Sequence, residues 1–318
     1  MKHFGNPWEH ETHRFMDILR WKLKWGAPEA SQLPDAPDDP AGWRSVHRDE
    51  MAILPMVGWR VTWLGHASFL IQGGGISLLI DPVFSDFCAP FSISSLRRRV
   101  PPPCSIDDLP QIDAVLLTHG HYDHLDLPTL RRLGMNMRII IAEGHAAWLR
   151  GKGFRKVSEL AWHECDEIFP GIRLTSTPAQ HFTARSPFDR NRGHWCGWII
   201  EGAGCQLWHA GDSGYCPAFK EIGERYGPAD FAMIPIGAYQ PRAIMRPMHL
   251  NPEEAVQVFL DAGCRRAVAM HWGTFRLTDE PMGEPPILLE MALRQRSLPR
   301  EVFQLIQVGD QLDVLPCE

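Results

Sequence analysis

The sequence lacks several features that would assign it to a particular class of protein. Its eight cysteines include no C-x-x-C pair, which argues against a structural zinc site made of thiolates. No apolar run is long enough to span a bilayer. The first residues, MKHFGNPWEHE, contain no apolar core of a signal peptide. We therefore expect free thiols in a reducing, cytoplasmic setting.

An excess of basic residues is also missing. The formal net charge is −6, so no general attraction to nucleic acid is expected, and no nucleic-acid partner is predicted. The chain shows no solenoid-like repeat and no low-complexity tract. Hydrophobic residues make up 44% and charged residues 22%, which is ordinary for a globular protein with a sizeable core. The sequence leaves the oligomeric state open.

The chain divides at about residue 50. Residues 1–50 hold charges, Pro and Trp but no strand pattern, and we interpret them as an extension packed on the main domain, 51–318. Apolar residues recur at helical spacing between Phe15 and Trp25, which predicts a helix over 11–25. Residues 27–42, rich in Pro and acids, predict an extended connector. The helix mixes aromatic and basic residues; we favour packing on its own domain, with peripheral membrane contact as the alternative.

Beyond residue 60 the pattern changes to short apolar strands that end at Gly, Asp or His. The predicted strands are 60–64, 68–72, 76–80, 114–117, 138–142, 172–176, 198–200, 206–209, 231–234 and 267–270. The predicted helices are 128–133, 145–150, 217–226, 252–261 and 286–296. Asn251 followed by Pro252 and Glu253 is a strong helix start, with a cap, a proline in the first turn and an acid near the positive dipole end. This mixture predicts a layered α/β fold.

The segment 118–126, THGHYDHLD, carries the clearest chemical signal. It follows the apolar run 113–117, which predicts a buried strand, so unpaired polar groups here would be costly. Its candidate metal ligands are His119, His121, Asp123 and His124. Imidazole and carboxylate suit zinc and other first-row metals, and the segment therefore predicts a metal site.

Three further residues occupy comparable positions. His181, Asp212 and His271 each follow an apolar run. Taken alone, each is weak evidence, since a single histidine at a strand end is more often structural. Together with the loop they form a set of seven His and Asp side chains, which is what two metals and a bridging water require.

The segment 118–126 resembles the H-x-H-x-D-H signature of the metallo-β-lactamase superfamily, and the later residues match that family's motifs in order over about 60–273. The resemblance implies an α/β fold: a four-layer αβ/βα metallo-β-lactamase sandwich with an N-terminal helical or extended extension. It implies that one metal is held by His119, His121 and His181, the other by Asp123, His124 and His271, and that Asp212 bridges both.

A narrower resemblance covers nearly the whole chain. The strings FGNPW, TWLGHASFLI, LLIDPVFSD, HAGDSGY, IPIGAYQPR and MHLNPEEAV are similar to the branch that contains N-acylphosphatidylethanolamine-hydrolysing phospholipase D and its bacterial relatives. In that branch the position of His249 matches a histidine at the substrate phosphate. The resemblance thus implies catalytic roles for Asp123, Asp212 and His249; a structural histidine at the helix start is the alternative for His249.

Other residues near the motifs are expected to support the site. The resemblance places His66 and Asp81 beside the metals, where Asp81 would fix the tautomer of a ligand imidazole; simple turn residues are the alternative for both. Gly120 is small and is expected to leave the site open. The run 97–99, three arginines, could meet a phosphate headgroup, but we favour a solvated charge run.

We therefore expect a zinc-dependent hydrolase with two Zn²⁺ ions, Fe and Mn being alternatives for the same ligands. Two such ions lower the pKa of a shared water toward about 7, and the resulting hydroxide would attack phosphorus. The expected substrate is a lipid or other small phosphodiester, and peripheral membrane contact is the alternative to a purely cytoplasmic setting. A lactone or other ester and a nucleic-acid phosphodiester are alternative substrates of the same fold. A metal-binding protein without activity is a third class, disfavoured by the intact set of ligands.

Overall fold

The computed structural model describes residues 2–11, 21, 31–33 and 35–316. The helix predicted over 11–25 lies largely outside these residues, as does its amphipathic face, and the predicted connector 27–42 lies partly outside them. Described parts of the N-terminal extension contact the main domain, because Phe4, Ala41 and Val46 are buried. The division at residue 50 stays a prediction.

Fourteen strands and seven α-helices make up the described structure. The strands are β1 (Trp59–Gly65), β2 (Ser68–Gly73), β3 (Ile76–Ile80), β4 (Ala114–Leu117), β5 (Arg138–Ala142), β6 (Lys156–Leu160), β7 (Cys165–Phe169), β8 (Ile172–Thr177), β9 (Gly197–Gly202), β10 (Cys205–His209), β11 (Phe231–Pro235), β12 (Ala267–Met270), β13 (Phe303–Gln304) and β14 (Gln311–Val314). The helices are α1 (Arg48–Ala52), α2 (Leu127–Leu133), α3 (Ala146–Gly151), α4 (Ala218–Tyr226), α5 (Arg242–Met245), α6 (Pro252–Asp261) and α7 (Glu284–Gln295).

The strands form two seven-stranded sheets. The first has the order β14-β1-β2-β3-β4-β5-β6 and the second the order β13-β12-β11-β10-β9-β8-β7. In the first sheet β3 to β6 are parallel, and in the second β10 to β13 are parallel. The remaining neighbours pair antiparallel. Every residue of β3, β4, β11 and β12 is buried, as expected for strands covered on both faces.

Helices cover the outer faces of both sheets. Leu130 of α2 and Leu149 of α3 share an apolar cluster with one face of the first sheet. Residues of α4, α6 and α7 join the larger cluster that fills the space between the sheets and around the second one. The predicted four-layer αβ/βα sandwich is confirmed. Within the described chain, no helix has the length and apolar character needed to cross a membrane.

The elements with strong apolar runs or caps were predicted well. The bounds of β3, β4, β5, β12 and α6 agree with the prediction. At α6, the Asn251 side chain accepts a hydrogen bond from the Glu254 N–H at 2.8 Å, and the Glu254 carboxylate accepts one from the Asn251 N–H at 3.2 Å. The strands β6 and β7, with sequences KVSEL and CDEIF, were not predicted. They are sheet edges whose charged residues face solvent, so they lack a continuous apolar run.

The topology brings several loops to one edge of the sandwich. His66 lies in the turn between β1 and β2, Asp81 follows β3, and the segment 118–126 follows β4. In the second sheet the loops after β8, β10 and β12 carry the three other candidate ligands. The ends of parallel strands meet at the same edge of a sheet, so these loops come together although they are far apart in the sequence.

Candidate metal centre

Three imidazoles form the first half of the centre. The His119 Nε2 and His121 Nδ1 atoms are 2.9 Å apart, and His181 Nε2 is 3.1 Å from the same His121 nitrogen. Their ligand atoms lie close enough to hold one metal ion together. The rings meet edge to face, as the ring planes of His119 and His121 are 82° apart. Three nitrogens thus converge on one point.

The second half combines imidazole with carboxylate. The Asp123 Oδ2 atom lies 3.5 Å from His124 Nε2 and 3.4 Å from His271 Nε2. Asp212 Oδ2 is 3.1 Å from the same His124 nitrogen and 3.0 Å from the His271 nitrogen. The His124, His271 and Asp212 side chains are almost completely removed from solvent, and the Asp123 side chain is 13% exposed. Two carboxylates and two imidazoles therefore share a small buried volume.

Asp212 lies between the two halves. Its Oδ2 atom faces His124 and His271 and is also 3.7 Å from His181 Nε2. No other described carboxylate contacts nitrogens of both groups. A residue in this position can contact two ions at once.

Buried atoms without a partner provide the test of whether this cluster suits a cation. The His124 Nε2, His271 Nε2 and Asp212 Oδ1 atoms are all buried, and none makes a hydrogen bond within the described residues. Unpaired buried polar atoms are costly, and those of a native protein need an explanation. Here each is a donor atom that zinc accepts, pointing into a cluster of others. The residues fit a metal ion.

Asp81 orients His124. Its carboxylate accepts hydrogen bonds from His124 Nδ1–H at 2.7 Å, from the Thr118 hydroxyl at 2.6 Å and from the Thr118 N–H at 2.8 Å. In the neutral ring, which is the form that binds a metal, the proton on Nδ1 leaves the lone pair of His124 on Nε2, which faces the carboxylates. This is the arrangement in which a carboxylate fixes the tautomer of a metal-binding histidine. The role of Asp81 beside a metal stays a prediction.

His181 is oriented from two directions. Its Nδ1 lies 2.9 Å from the Met248 carbonyl, to which it donates, so Nε2 faces the cluster. Asn6, in the N-terminal extension, pairs with the backbone of His181: its amide nitrogen donates to the His181 carbonyl at 3.2 Å, and its oxygen accepts from the His181 N–H at 3.3 Å. Trp8 donates to Gln180, the preceding residue. Sequence reasoning noted FGNPW as a motif but did not assign Asn6 a partner.

His66 contacts a candidate ligand. Its Nε2 lies 2.9 Å from Asp123 Oδ2, and its ring centroid is 4.0 Å from that of His271. The backbones of His66, Asp81 and His271 all have positive φ, at 55°, 42° and 61°. Non-glycine residues in this region cost about 1–3 kcal/mol each and concentrate at functional sites. The chain therefore turns sharply at three points around the centre.

The electrostatic environment differs between the two halves. Burial lowers the pKa of His121 to about 3 and that of His181 to about 4, so both rings are neutral and keep a lone pair for a metal. For His271, burial also acts to lower the pKa, but the Asp212 and Asp123 carboxylates outweigh it and raise the value to about 9. His124 behaves in the same way. This half thus carries the negative field that attracts a cation.

His249 lies at the edge of the cluster. Its Nδ1 is 4.0 Å from Asp212 Oδ2, and its ring centroid is 5.1 Å from that of His181 and 5.3 Å from that of His271. Its Nδ1 is buried and makes no hydrogen bond within the described residues. The ring can therefore contact a group bound next to Asp212.

Two expectations about nearby residues were wrong. A Cβ on Gly120 would lie 2.8 Å from both His145 Cε1 and Thr183 Oγ1, so the small residue serves close packing and does not open the site. Arg98 is 9% exposed and is not part of a solvated run, because its guanidinium donates to the carbonyls of Val83, Ser85 and Val100. A buried guanidinium needs such partners.

Arg185 supports the ligand loop from outside. Its guanidinium donates to the Gly120 carbonyl at 2.8 Å and to the Leu125 carbonyl at 2.9 Å, and it lies 3.9 Å from the Tyr122 ring centroid. These contacts bracket residues 121–124, which include three of the candidate ligands. Sequence reasoning missed Arg185, since an arginine whose partners are backbone carbonyls leaves no residue pattern to detect.

Comparison with known proteins defines the class. The family model of the beta-lactamase superfamily domain matches residues 77–272. The chain is 38% identical over 245 residues to N-acyl-phosphatidylethanolamine-hydrolyzing phospholipase D 1 of Caenorhabditis elegans, covering 73% of this chain and 67% of that protein. It is 30% identical over 225 residues to a metal-dependent hydrolase of Rubrobacter xylanophilus, covering 69% and 83%. The structure of Igni18, a metallo hydrolase from Ignicoccus hospitalis, matches with a TM-score of 0.61 at 23% identity, over 80% of this chain and 97% of that one.

The chain belongs to the beta-lactamase superfamily. It is a metal-dependent hydrolase with the metallo-β-lactamase fold, and its His and Asp cluster is able to bind metal. The resemblance inferred from the sequence motifs is confirmed.

Proposed function

We propose that this hydrolase is a phosphodiesterase of the phospholipase D type that acts on N-acylphosphatidylethanolamine or a related lipid phosphodiester. The observation that carries the proposal is the identity with the phospholipase D of C. elegans over most of the chain. The cluster around Asp212 supports it, because it offers ligands for a pair of metals of the kind that phosphoryl transfer uses.

Two Zn²⁺ ions are the proposed cofactors. His119, His121 and His181 would hold one ion, Asp123, His124 and His271 the other, and Asp212 would contact both. When bound, such ions act as Lewis acids on a phosphoryl oxygen and lower the pKa of a bound water. Iron or manganese would suit the same ligands, so metal analysis of the purified protein is the direct test.

The protein's own contribution is to orient these ligands and the substrate. Asp81 keeps the proton of His124 on Nδ1, and the Met248 carbonyl keeps that of His181 on Nδ1. Both rings therefore present Nε2 without rearrangement when metal or substrate enters. Such preorganisation lowers the barrier, because the protein dipoles need not reorient during the reaction.

His249 is the proposed contact to the reacting phosphate. Hydrolysis adds the oxygen of water to phosphorus and breaks the bond to the alcohol, which takes up a proton; the products are a phosphate monoester and an alcohol. The neutral His249 ring, next to Asp212, can donate a hydrogen bond to a phosphoryl oxygen or to the leaving oxygen. Exchanging His249 for glutamine would then lower kcat while both metals stay bound.

The substrate test compares three compounds: N-acylphosphatidylethanolamine in mixed micelles, bis-p-nitrophenyl phosphate and an acyl-homoserine lactone. We expect turnover of the two phosphodiesters, and water labelled with heavy oxygen should put its label in the phosphate product. Turnover of the lactone alone would refute the proposal in favour of a lactonase. His119→Ala and Asp123→Ala should remove metal and activity together. His163→Ala is the matched control, since His163 pairs with Tyr226 away from the cluster.

A further inference from the structure

Two loops flank the metal centre and differ from the rest of the surface. The rim hairpin comprises residues 86–99, and the rim loop comprises residues 183–192. Together they contain six arginines and two aspartates, in a chain whose formal net charge is −6. They also carry large apolar side chains that face solvent. This combination of positive charge and exposed apolar groups is uncommon on a protein surface.

The rim hairpin is attached beside Asp123. A bridge between Phe87 and Arg97 closes it, and the buried Cys88 packs with Phe275, whose ring centroid is 5.2 Å from that of His66. The hairpin's tip points away from this anchor, because Phe91 is 76% exposed and Ile93 is 41% exposed. Apolar side chains are thus held at the rim, where no residue in the described part of the chain covers them.

The rim loop is attached beside His121. Phe182, immediately before it, contacts the His121 ring at 4.6 Å between centroids. Hydrogen bonds order the loop: Asp189 accepts from the N–H groups of Arg185 and Ser186, at 3.0 and 2.8 Å. Phe188, within this ordered turn, is 82% exposed. An ordered turn loses little conformational entropy when its tip binds a surface.

Three arginines around these tips have no acidic partner among the residues that the structure describes. Arg97, Arg99 and Arg190 are exposed, and none forms an ion pair with another described residue. Arg190 instead stacks on Phe182, with its guanidinium 4.4 Å from the ring centroid. An arginine held in place without a carboxylate is ready to pair with phosphate, which matches its planar fork of donors.

We propose that the rim hairpin and the rim loop dock the metal centre onto the surface of a bilayer that contains anionic phospholipid. Phe91, Ile93 and Phe188 enter the boundary between headgroups and acyl chains. The three unpaired arginines bind lipid phosphates. This inference rests on the proposed function, because a lipid substrate must be taken from a bilayer, and these loops would place the centre over it. Charge complementarity selects the occupant: a cationic, aromatic rim on an acidic protein matches an anionic lipid surface.

A second exposed apolar patch serves as the matched control. Ile53, Met56, Val57 and Leu315 are 66%, 101%, 57% and 61% exposed. Here the nearby Arg60 is paired with Asp313 at 2.8 Å, so the patch lacks free positive charge. The patch belongs to the segments around β1 and β14, away from the ligand loops. It tests whether exposed apolar residues alone suffice for binding.

The experiment measures sedimentation of the metal-loaded protein with vesicles of phosphatidylcholine, with and without phosphatidylglycerol. We expect binding to the anionic vesicles that weakens with salt. The double variant Phe91→Ser/Phe188→Ser should weaken binding about tenfold or more. Arg97→Gln and Arg190→Gln should each weaken it roughly fivefold, since one cation near such a surface contributes about 1 kcal/mol. Arg155 is an exposed arginine directly before β6, at the end of the sheet opposite to the ligand loops. Met56→Ser and Arg155→Gln, the apolar and charge controls, should bind like the wild type.

Turnover separates this proposal from the proposed function. Bis-p-nitrophenyl phosphate is soluble, so the rim variants should hydrolyse it at the wild-type rate while hydrolysing vesicle-borne substrate more slowly. Wild-type protein that stays in the supernatant with every vesicle would overturn the docking proposal and leave the phosphodiesterase intact. Equal losses of binding in Met56→Ser and in the rim variants would overturn it as well. Vesicle binding without cleavage of any phosphodiester would instead contradict the proposed function.

Discussion

Replacing Asn6 by alanine removes both hydrogen bonds between the N-terminal extension and the backbone of His181. These bonds join the side-chain amide to the carbonyl and the N–H of a single candidate ligand, at 3.2 and 3.3 Å. A side-chain amide in this position takes the place of a neighbouring strand. Without it, the backbone of His181 loses these two side-chain partners, while the His181 ring keeps its bond to the Met248 carbonyl. We expect the metal bound by this ring to bind more weakly.

The magnitude follows from the two bonds. Each contributes about 0.5–1.5 kcal/mol net, so their loss costs about 1–3 kcal/mol in total. Groups that orient metal ligands typically contribute about 10- to 100-fold to metal affinity, which is an effect of the same size. Phe4 stays buried and Trp8 still stacks on Trp162 at 5.8 Å between ring centroids, so the extension should remain attached. The loss should fall on one metal and leave the other unchanged.

The assay titrates metal-free protein with Zn²⁺ against a chromophoric chelator, and urea unfolding of the same metal-free protein reports global stability. Asn6→Ala should bind one equivalent at wild-type affinity and the other about 10- to 100-fold more weakly. Gln72→Ala is the control, because the Gln72 amide also makes two hydrogen bonds, to Met51 and Ser77, but lies away from the ligand loops. It should lower stability without changing metal affinity. Wild-type zinc affinity at both sites in Asn6→Ala would refute the reasoning. Asn6 would then serve only to attach the N-terminal extension to the main domain.

Three further predictions concern the loop 118–126 and its metal. Arg185→Ala should weaken binding of the proposed ions about tenfold, measured by the same titration, because it removes the donor to the Gly120 and Leu125 carbonyls and the contact with the Tyr122 ring; unchanged affinity would contradict this. Gly120→Ala should lower the free energy of unfolding by about 1–3 kcal/mol in a urea titration, because the added Cβ would lie 2.8 Å from atoms of His145 and Thr183. An unchanged free energy of unfolding would show that both neighbours can move. Chelation should lower Tm and Zn²⁺ should restore it, with a shift that grows with free metal; a Tm independent of metal would count against metal binding to the native state.

The parts of the fold that the sequence predicts are those in which local signals agree. The run 114–117 is apolar throughout, and helix α6 has a cap, a proline and acids in its first turn. Edge strands such as β6 give no comparable signal, because alternating charged residues also suit a loop. Their pairing is decided by the neighbouring strand, which local sequence does not reveal.

The candidate ligands were recognisable because each has a side chain with metal chemistry at the end of an apolar run. The structure brings all seven together, although nothing in their spacing required it. The supporting residues gave no such signal. Asn6 and Arg185 act on backbone groups, which every residue possesses, so the identity of the partner leaves no trace in the sequence. Arg98 also donates only to backbone carbonyls. For the same reason, the prediction of a solvated charge run over 97–99 was wrong for this residue.

The distribution of these supports has a physical cause. The seven candidate ligands come from four loops, and loops are less constrained than the strands that precede them. The Asp123 and Asp212 carboxylates face the His124 and His271 rings at ion-pair distances of 3.0 to 3.5 Å, so these four side chains attract one another in the absence of metal. Residues that do not bind the metal add further cohesion. Asp81 stabilises the His124 ring, and Asn6 stabilises the backbone of His181. Arg185 stabilises the loop 118–126. Each support comes from a segment far away in sequence, so the centre is held by the fold as a whole, and a variant at any of the three should alter metal affinity before it alters the fold.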